Sequence, residues 1–230
     1  MIIVLAVLLA GDIIGQNKGA VLQIGVTGTG YYGDLNAGEK GLFSATYFSV
    51  SPGFDITLQP STWGKFAPQI RVGYARFQAQ DPDARANPPE PISTSEGVII
   101  PNAFADVTLP YLALGVEWHL FKRKRRFSPL ASFGVRILSF SSKNEEGTPL
   151  AQLWTTRLPV ERSLPSLSPS LDLGLGFESR LNERLRLIFV YHHIRSGSDY
   201  LDNLGALGRL EGNDRLHSLR VSLGFDLGKD

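Results

Sequence analysis

Four histidines, His119, His192, His193 and His217, are the residues of this sequence best suited to proton transfer or metal binding. No pair of them has strong metal-ligand spacing, and there is no His-Glu-x-x-His helix signature. His192-His193-Ile194-Arg195-Ser196-Gly197-Ser198 places histidine and serine close along the chain, the pairing in which an imidazole activates a hydroxyl nucleophile. The chain contains no cysteine, which excludes disulfides, thiolate catalysis and Cys-zinc sites. The glycines from Gly25 to Gly30 lie within a strand-like alternation and open no helix, so they do not form a phosphate-cradling loop. Lys122-Arg123-Lys124-Arg125-Arg126 is a dense basic turn, suited to fixing orientation or to meeting an acidic partner. No cofactor signature is present.

These groups sit in a 230-residue chain with 43% hydrophobic and 20% charged residues. A net charge of +1 supplies no overall field for nucleic acid. Ile2 to Ala10 form an unbroken apolar run, too short to span a bilayer but as long as a secretory leader core. Residues 1–16 are therefore expected to be a signal peptide, cut between about Gly15 and Lys18, with residues 17–230 forming one domain. No later segment reads as a transmembrane helix.

Period-two alternation recurs to the C-terminus and predicts eight strands. They cover about Ala20–Tyr32, Phe43–Leu58, Lys65–Gln78, Phe104–Phe121, Phe127–Phe140, Pro169–Leu181, Arg184–Arg195 and Leu216–Leu227. In the fourth, Leu112, Leu114, Val116, Trp118 and Leu120 alternate with Ala113, Gly115, Glu117 and His119. The sixth sets Leu171, Leu173, Leu175 and Phe177 against Asp172, Gly174, Gly176 and Glu178.

Three features separate this pattern from a soluble sandwich. The predicted strands run well beyond the five or six residues common in soluble proteins. The second face is small and polar, so the continuous apolar face must point outward, towards lipid. The connections alternate short and long, the long ones covering Asp34–Leu42, Gln80–Asn102, Ser141–Ser168 and Ser198–Asp214. The expected fold is all-β, an eight-stranded antiparallel up-and-down transmembrane β-barrel in the outer membrane, surrounded by its lipids, with both mature termini periplasmic. Tyr31, Tyr32, Trp63, Phe66, Trp118, Phe121, Phe127, Phe140 and Tyr191 fall near strand ends, where interfacial aromatic girdles form.

On this face assignment Arg71, Glu117, His119, Arg136, Asp172, Glu178, Arg186 and Arg220 project into the lumen. Eight strands leave room inside only for side chains, so these mixed charges are expected to pair into a structural plug.

Two resemblances bear on function. The His192–Ser198 segment loosely resembles the His/Ser segment of outer-membrane lipid A deacylases, whose histidine activates a serine on the lipid-facing wall. The His-x-Ser-Asn core of that family is absent here. More of the chain resembles a Bacteroidetes outer-membrane β-barrel family that includes the PorG-type component of the type IX secretion system. Gln23-Ile24-Gly25-Val26 with Tyr32-Gly33-Asp34-Leu35-Asn36 resembles its opening strand and first loop. Phe127-Ser128-Pro129-Leu130-Ala131-Ser132-Phe133-Gly134, after Phe121 and the basic turn, is similar to its middle strand. Ser198-Asp199-Tyr200-Leu201-Asp202-Asn203 and the later Asn213-Asp214 match its closing segments. The final Asp-Leu-Gly-Lys-Asp departs from an aromatic terminus. The resemblance implies a non-enzymatic structural anchor in protein transport. Its partners would be a periplasmic ring lipoprotein and that lipoprotein's own partner, with Lys122, Arg123, Lys124, Arg125 and Arg126 as the expected contact. The alternative is a stand-alone barrel whose surface loops bind or adhere.

Overall fold

The computed structural model describes residues 19–32, 51–61, 63–80, 92–94, 97–99, 104–121, 126–147, 167–197 and 215–227. The expected leader, residues 43–50 of the second expected strand, and Lys122 to Arg125 of the basic turn lie outside the described residues. So do Gly33–Asn36, Ser198–Asn203 and Asn213-Asp214 of the family-like segments.

The described strands are β1 (Val21–Tyr32), β2 (Ser51–Gln59), β3 (Phe66–Gln80), β4 (Ile92–Thr94), β5 (Gly97–Ile99), β6 (Phe104–His119), β7 (Phe127–Ser139), β8 (Ser141–Lys143), β9 (Leu167–Arg180), β10 (Leu185–Ser196) and β11 (Arg215–Asp226). Eight of them form the wall, in the cyclic order β1-β2-β3-β6-β7-β9-β10-β11, and every neighbouring pair is antiparallel. β11 pairs with β1 along its whole length, and Leu227 N–H donates to the Ala20 carbonyl at 2.8 Å. The first and last wall strands thus seal the cylinder with no free edge.

The register fixes the shape of the cylinder. Following cross-strand partners from Leu22 leads through Leu58, Ile70, Leu114, Val135, Leu171, Arg195 and Arg215 to Tyr32, ten residues further along the starting strand. A stagger of that size over eight strands tilts them about 40° and sets a radius of about 8 Å. Such a lumen holds side chains and little else.

Alternation sorts residues between lipid side and lumen. Outward-facing Val26, Leu114, Leu171 and Leu175 are exposed, Leu175 at 70%. An apolar surface that runs round the whole wall suits hydrocarbon and not water. Trp63, Phe66, Trp118 and Phe127 are exposed where β3, β6 and β7 meet the short connections. Tyr31 and Phe140, expected in such a girdle, instead turn inward. Tyr31 is buried and stacked on Phe77 at 4.5 Å, and Phe140 packs against the same interior cluster. Both share the parity of inward neighbours, and that outranks closeness to a strand end.

Two connections also differ from expectation. β8 pairs with β6 in the register of β7, so the fifth wall strand continues to Lys143 past a break at Phe140. A short hairpin, β4 with β5, lies in the stretch expected to be an irregular loop between Gln80 and Asn102. The parity of the connections holds: the four long ones share one end, and the short ones share the other with Ala20 and Leu227.

The inner face is not uniformly small and polar. At the long-connection end Tyr31, Phe77, Val107, Leu109, Leu138 and Leu216 pack into a buried apolar cluster. Alternation reports which face a residue occupies but not how deep in the lumen it lies, so this cap was not separable from the polar zone beneath it.

Leu114 lies near the middle of the outward belt and is 54% exposed. Leu114→Arg is expected to destabilise the protein in lipid vesicles by about 2–4 kcal/mol. An equally exposed site on a water-facing surface would change by less than about 0.5 kcal/mol. Urea unfolding of the vesicle-inserted protein distinguishes the two outcomes.

Candidate functional site: the lumen

Below the apolar cap, inward positions of all eight wall strands meet in a polar network. Arg220 on β11 is fully enclosed, at 0% exposure. Its Nε donates to both Asp55 carboxylate oxygens, at 2.9 and 3.0 Å, and its Nη2 donates to Gln23 Oε1 and Thr57 Oγ1, each at 2.8 Å. One arginine therefore ties β11 to β1 and β2 across the seam. The Tyr111 hydroxyl reaches the same aspartate at 3.4 Å.

Tyr111 links this group to a second one. Its ring lies against Gly73, where a Cβ would come within 2.5 Å of the ring, and the Arg136 guanidinium sits 4.1 Å from its centroid. Arg136 donates to Asp172 at 2.6 Å. Asp172 also holds His192 Nδ1 at 2.7 Å and lies 3.5 Å from Arg71. Arg71 Nη1 in turn stands 3.2 Å from His192 Nε2. Since an arginine only donates, that nitrogen of His192 accepts, and the ring proton sits on Nδ1 towards Asp172. Gly174 makes room for this arrangement, because a Cβ there would meet Ser132 Oγ at 2.3 Å and His192 Nδ1 at 3.1 Å.

The third group lies nearer the short connections. Gln59 donates to Glu117. With its amide turned to satisfy its neighbours, Gln69 donates to Glu117 and accepts from Arg71, at 3.2 Å each. His119 Nε2 stands 3.6 Å from Glu117, beyond hydrogen-bond length. A fourth group closes that end: Arg186 donates to Glu178 at 2.8 Å and to Asp226 at 2.7 Å.

All eight residues expected in the lumen face it. Arg71, Arg136 and Asp172 meet directly, as do Glu178 with Arg186; Glu117 and His119 are neighbours, while Arg220 pairs outside the expected set. Asp55, His192, Asp226, Tyr111 and the three glutamines were missed. Period two places all of them on the inner face: Asp55 and Gln59 have the parity of Thr57, Gln23 that of Thr27, Gln69 that of Arg71, Tyr111 that of Glu117, His192 that of Arg186 and Asp226 that of Arg220. Of the basic turn only Arg126 is described; it is exposed and its carbonyl accepts from Arg180 N–H at 2.8 Å.

The arrangement argues against the lipid-facing hydrolase reading. His192 and Ser196 point into the lumen, and Ser196 Oγ bonds Ser168 Oγ at 2.9 Å. His193 points outward beside His217. Adjacent residues of a strand face opposite sides, so among the described residues of this segment no His–Ser pair is presented to lipid. Among the described residues no His/Asp/Glu group has the arrangement to hold a metal. A cavity of about 10 Å³ beside Gln69, Arg71 and Asp172 has room for roughly one water.

No family model and no curated protein matches the sequence. Solved structures do. Neisserial surface protein A is similar over 90% of this chain and 96% of its own, at 11% identity and a TM-score of 0.50. The chain is a closed eight-stranded barrel of the outer-membrane type. The outer membrane protein OprG of Pseudomonas aeruginosa is 15% identical with a TM-score of 0.44, covering 93% of this chain and 98% of its own. A major outer membrane protein of Thermus thermophilus is 12% identical with a TM-score of 0.46, covering 90% and 98%. At such identities the likeness is one of fold.

Removing one partner of a buried ion pair strands the other. Asp55→Ala is expected to cost about 3–5 kcal/mol by leaving Arg220 uncompensated. Asp55→Ala combined with Arg220→Leu should recover part of that loss. Urea midpoints of both variants in vesicles check this, and equal losses would contradict it.

Proposed function

We propose that this chain is a non-enzymatic outer-membrane barrel that works as a structural anchor in protein export, holding a periplasmic ring complex at its short-connection end. One observation supports it most: the lumen is filled from end to end, by the apolar cap around Tyr31 and Phe77 and by the arginine–carboxylate network below. A filled barrel of about 8 Å radius offers neither passage nor an internal binding site. What it offers is its two ends and its outer wall. The resemblance of its sequence segments, in their order along the chain, to the secretion-associated barrel family favours the short-connection end as the working one. There the basic turn Lys122 to Arg126 supplies a charge cluster for an acidic surface. With β1 starting in the periplasm, the short connections and both mature termini lie on that side.

A second reading is favoured by a different observation. The four long connections share the opposite end, on a rigid scaffold, as in a barrel that binds through surface loops. Neisserial surface protein A, of the same fold, is named as a surface protein.

Crosslinking pull-down from native outer membranes, with a tag in a long loop, is expected to recover a periplasmic lipoprotein. Replacing Lys122, Arg123, Lys124, Arg125 and Arg126 with glutamate should reduce that recovery at least roughly tenfold while the barrel still folds. Recovery unaffected by the charge reversal would remove the basic turn as the contact. A barrel recovered alone would move the function to the loops.

A further inference from the structure

The outward ladder between β10 and β11 changes character in one direction. From the short-connection end its rungs are Leu185–Phe225, Leu187–Leu223, Phe189–Val221 and Tyr191–Leu219, then His193–His217, then Arg195–Arg215. Four apolar rungs, an imidazole rung and a guanidinium rung follow without interruption. At a tilt of about 40°, the arginine rung stands about 25 Å along the barrel axis from the first. That is the height of an apolar belt, so the arginines lie where hydrocarbon gives way to headgroups.

Two arginines directly opposed on neighbouring strands repel each other. Both are exposed, and among the described residues neither has a carboxylate partner. The contrast lies elsewhere on the same end of the barrel, where outward Arg76 is held by Asp106 through two hydrogen bonds. Below the arginines, His217 is only 7% exposed; Tyr191 Oη engages its Nδ1, and its buried Nε2 has no partner. The surroundings are uneven. Towards β1, His217 and Leu219 face Gly30 and Gly28, which carry no side chains, and towards β9, His193 and Arg195 face Leu173 and Leu171. An apolar ladder, exposed at Tyr191 and Leu219, therefore runs beneath two arginines that have no carboxylate partner among the described residues.

We infer that Arg195 and Arg215, with His217 beneath them, form an outer-wall site for the phosphorylated headgroup of a membrane lipid, whose acyl chains lie along the apolar rungs below. A phosphate placed between the two guanidinium groups would accept from both and remove their repulsion. A soluble anion offers the same phosphate chemistry, but the exposed apolar rungs directly under the charges favour an amphiphile. The inference rests on the membrane reading of the barrel and is independent of any secretion partner.

The test uses the full chain in zwitterionic micelles, titrated with phosphatidic acid and, separately, with inorganic phosphate, and read by native mass spectrometry. Phosphatidic acid should be retained in preference to phosphatidylcholine. Arg195→Gln with Arg215→Gln should weaken its retention roughly tenfold or more. Arg76→Gln with Arg184→Gln removes the same net charge elsewhere and should leave retention unchanged. Equal loss in both double variants, or no preference for phosphatidic acid, would overturn the site while leaving the barrel intact. Abolition of lipid retention by millimolar inorganic phosphate would overturn the lipid as occupant in favour of a soluble anion. Failure of the wild-type chain to insert into vesicles would overturn the membrane reading, and the site with it.

Discussion

A strand laid against hydrocarbon has no solvent to which its amide and carbonyl groups can turn, so each must find a partner in a neighbouring strand. Everything else in this molecule follows from meeting that requirement with eight strands. The seam between β1 and β11 leaves no edge, and the ten-residue stagger from Leu22 to Tyr32 makes the closure geometrically consistent. Strand number and stagger together fix the radius, and the radius decides that the interior must be filled by the chain's own side chains.

That filling divides into two zones with different physics. At the long-connection end, flat stacking of Tyr31 on Phe77 and the aliphatic side chains around them exclude water without needing partners. Below, the arginines are enclosed and cannot be left alone, since an unpaired buried charge is among the costliest defects a fold can carry. They are therefore tied to acceptors on other strands: Arg220 joins β11 to β1 and β2, and Asp172 gathers Arg136, Arg71 and His192 from three others. Such shared acceptors brace the wall from inside. They also leave the chemistry of the interior committed to structure, which directs attention to the rims and the outer wall.

The outer wall carries its own information. Its lipid side is largely apolar, and on the β10–β11 ladder two opposed arginines with no carboxylate partner among the described residues stand at the end of that belt. The same alternation that sends His192 inward sends His193 outward. Neighbouring histidines in the sequence thus serve two separate environments, one braced by Asp172 and the other packed against His217.

Period-two alternation, long strands and the parity of the connections were enough to determine the fold class, the strand count, the orientation of each face and the lumen location of Arg71, Glu117, His119, Arg136, Asp172, Glu178, Arg186 and Arg220. These are properties of single strands, set by the reversal of direction at each residue. What only the tertiary structure decided depends on register between strands distant in sequence. Arg220 and Asp55 are 165 residues apart, and only the stagger brings them level. The same holds for the apolar cap: parity turns Tyr31 and Phe140 inward, and depth in the lumen decides that they meet an apolar cluster and not the polar network. It holds too for the Arg195–Arg215 rung, since a cross-strand pair exists only once two strands have chosen their alignment. Local sequence states which way a side chain points; the closed hydrogen-bond ladder decides what it meets there.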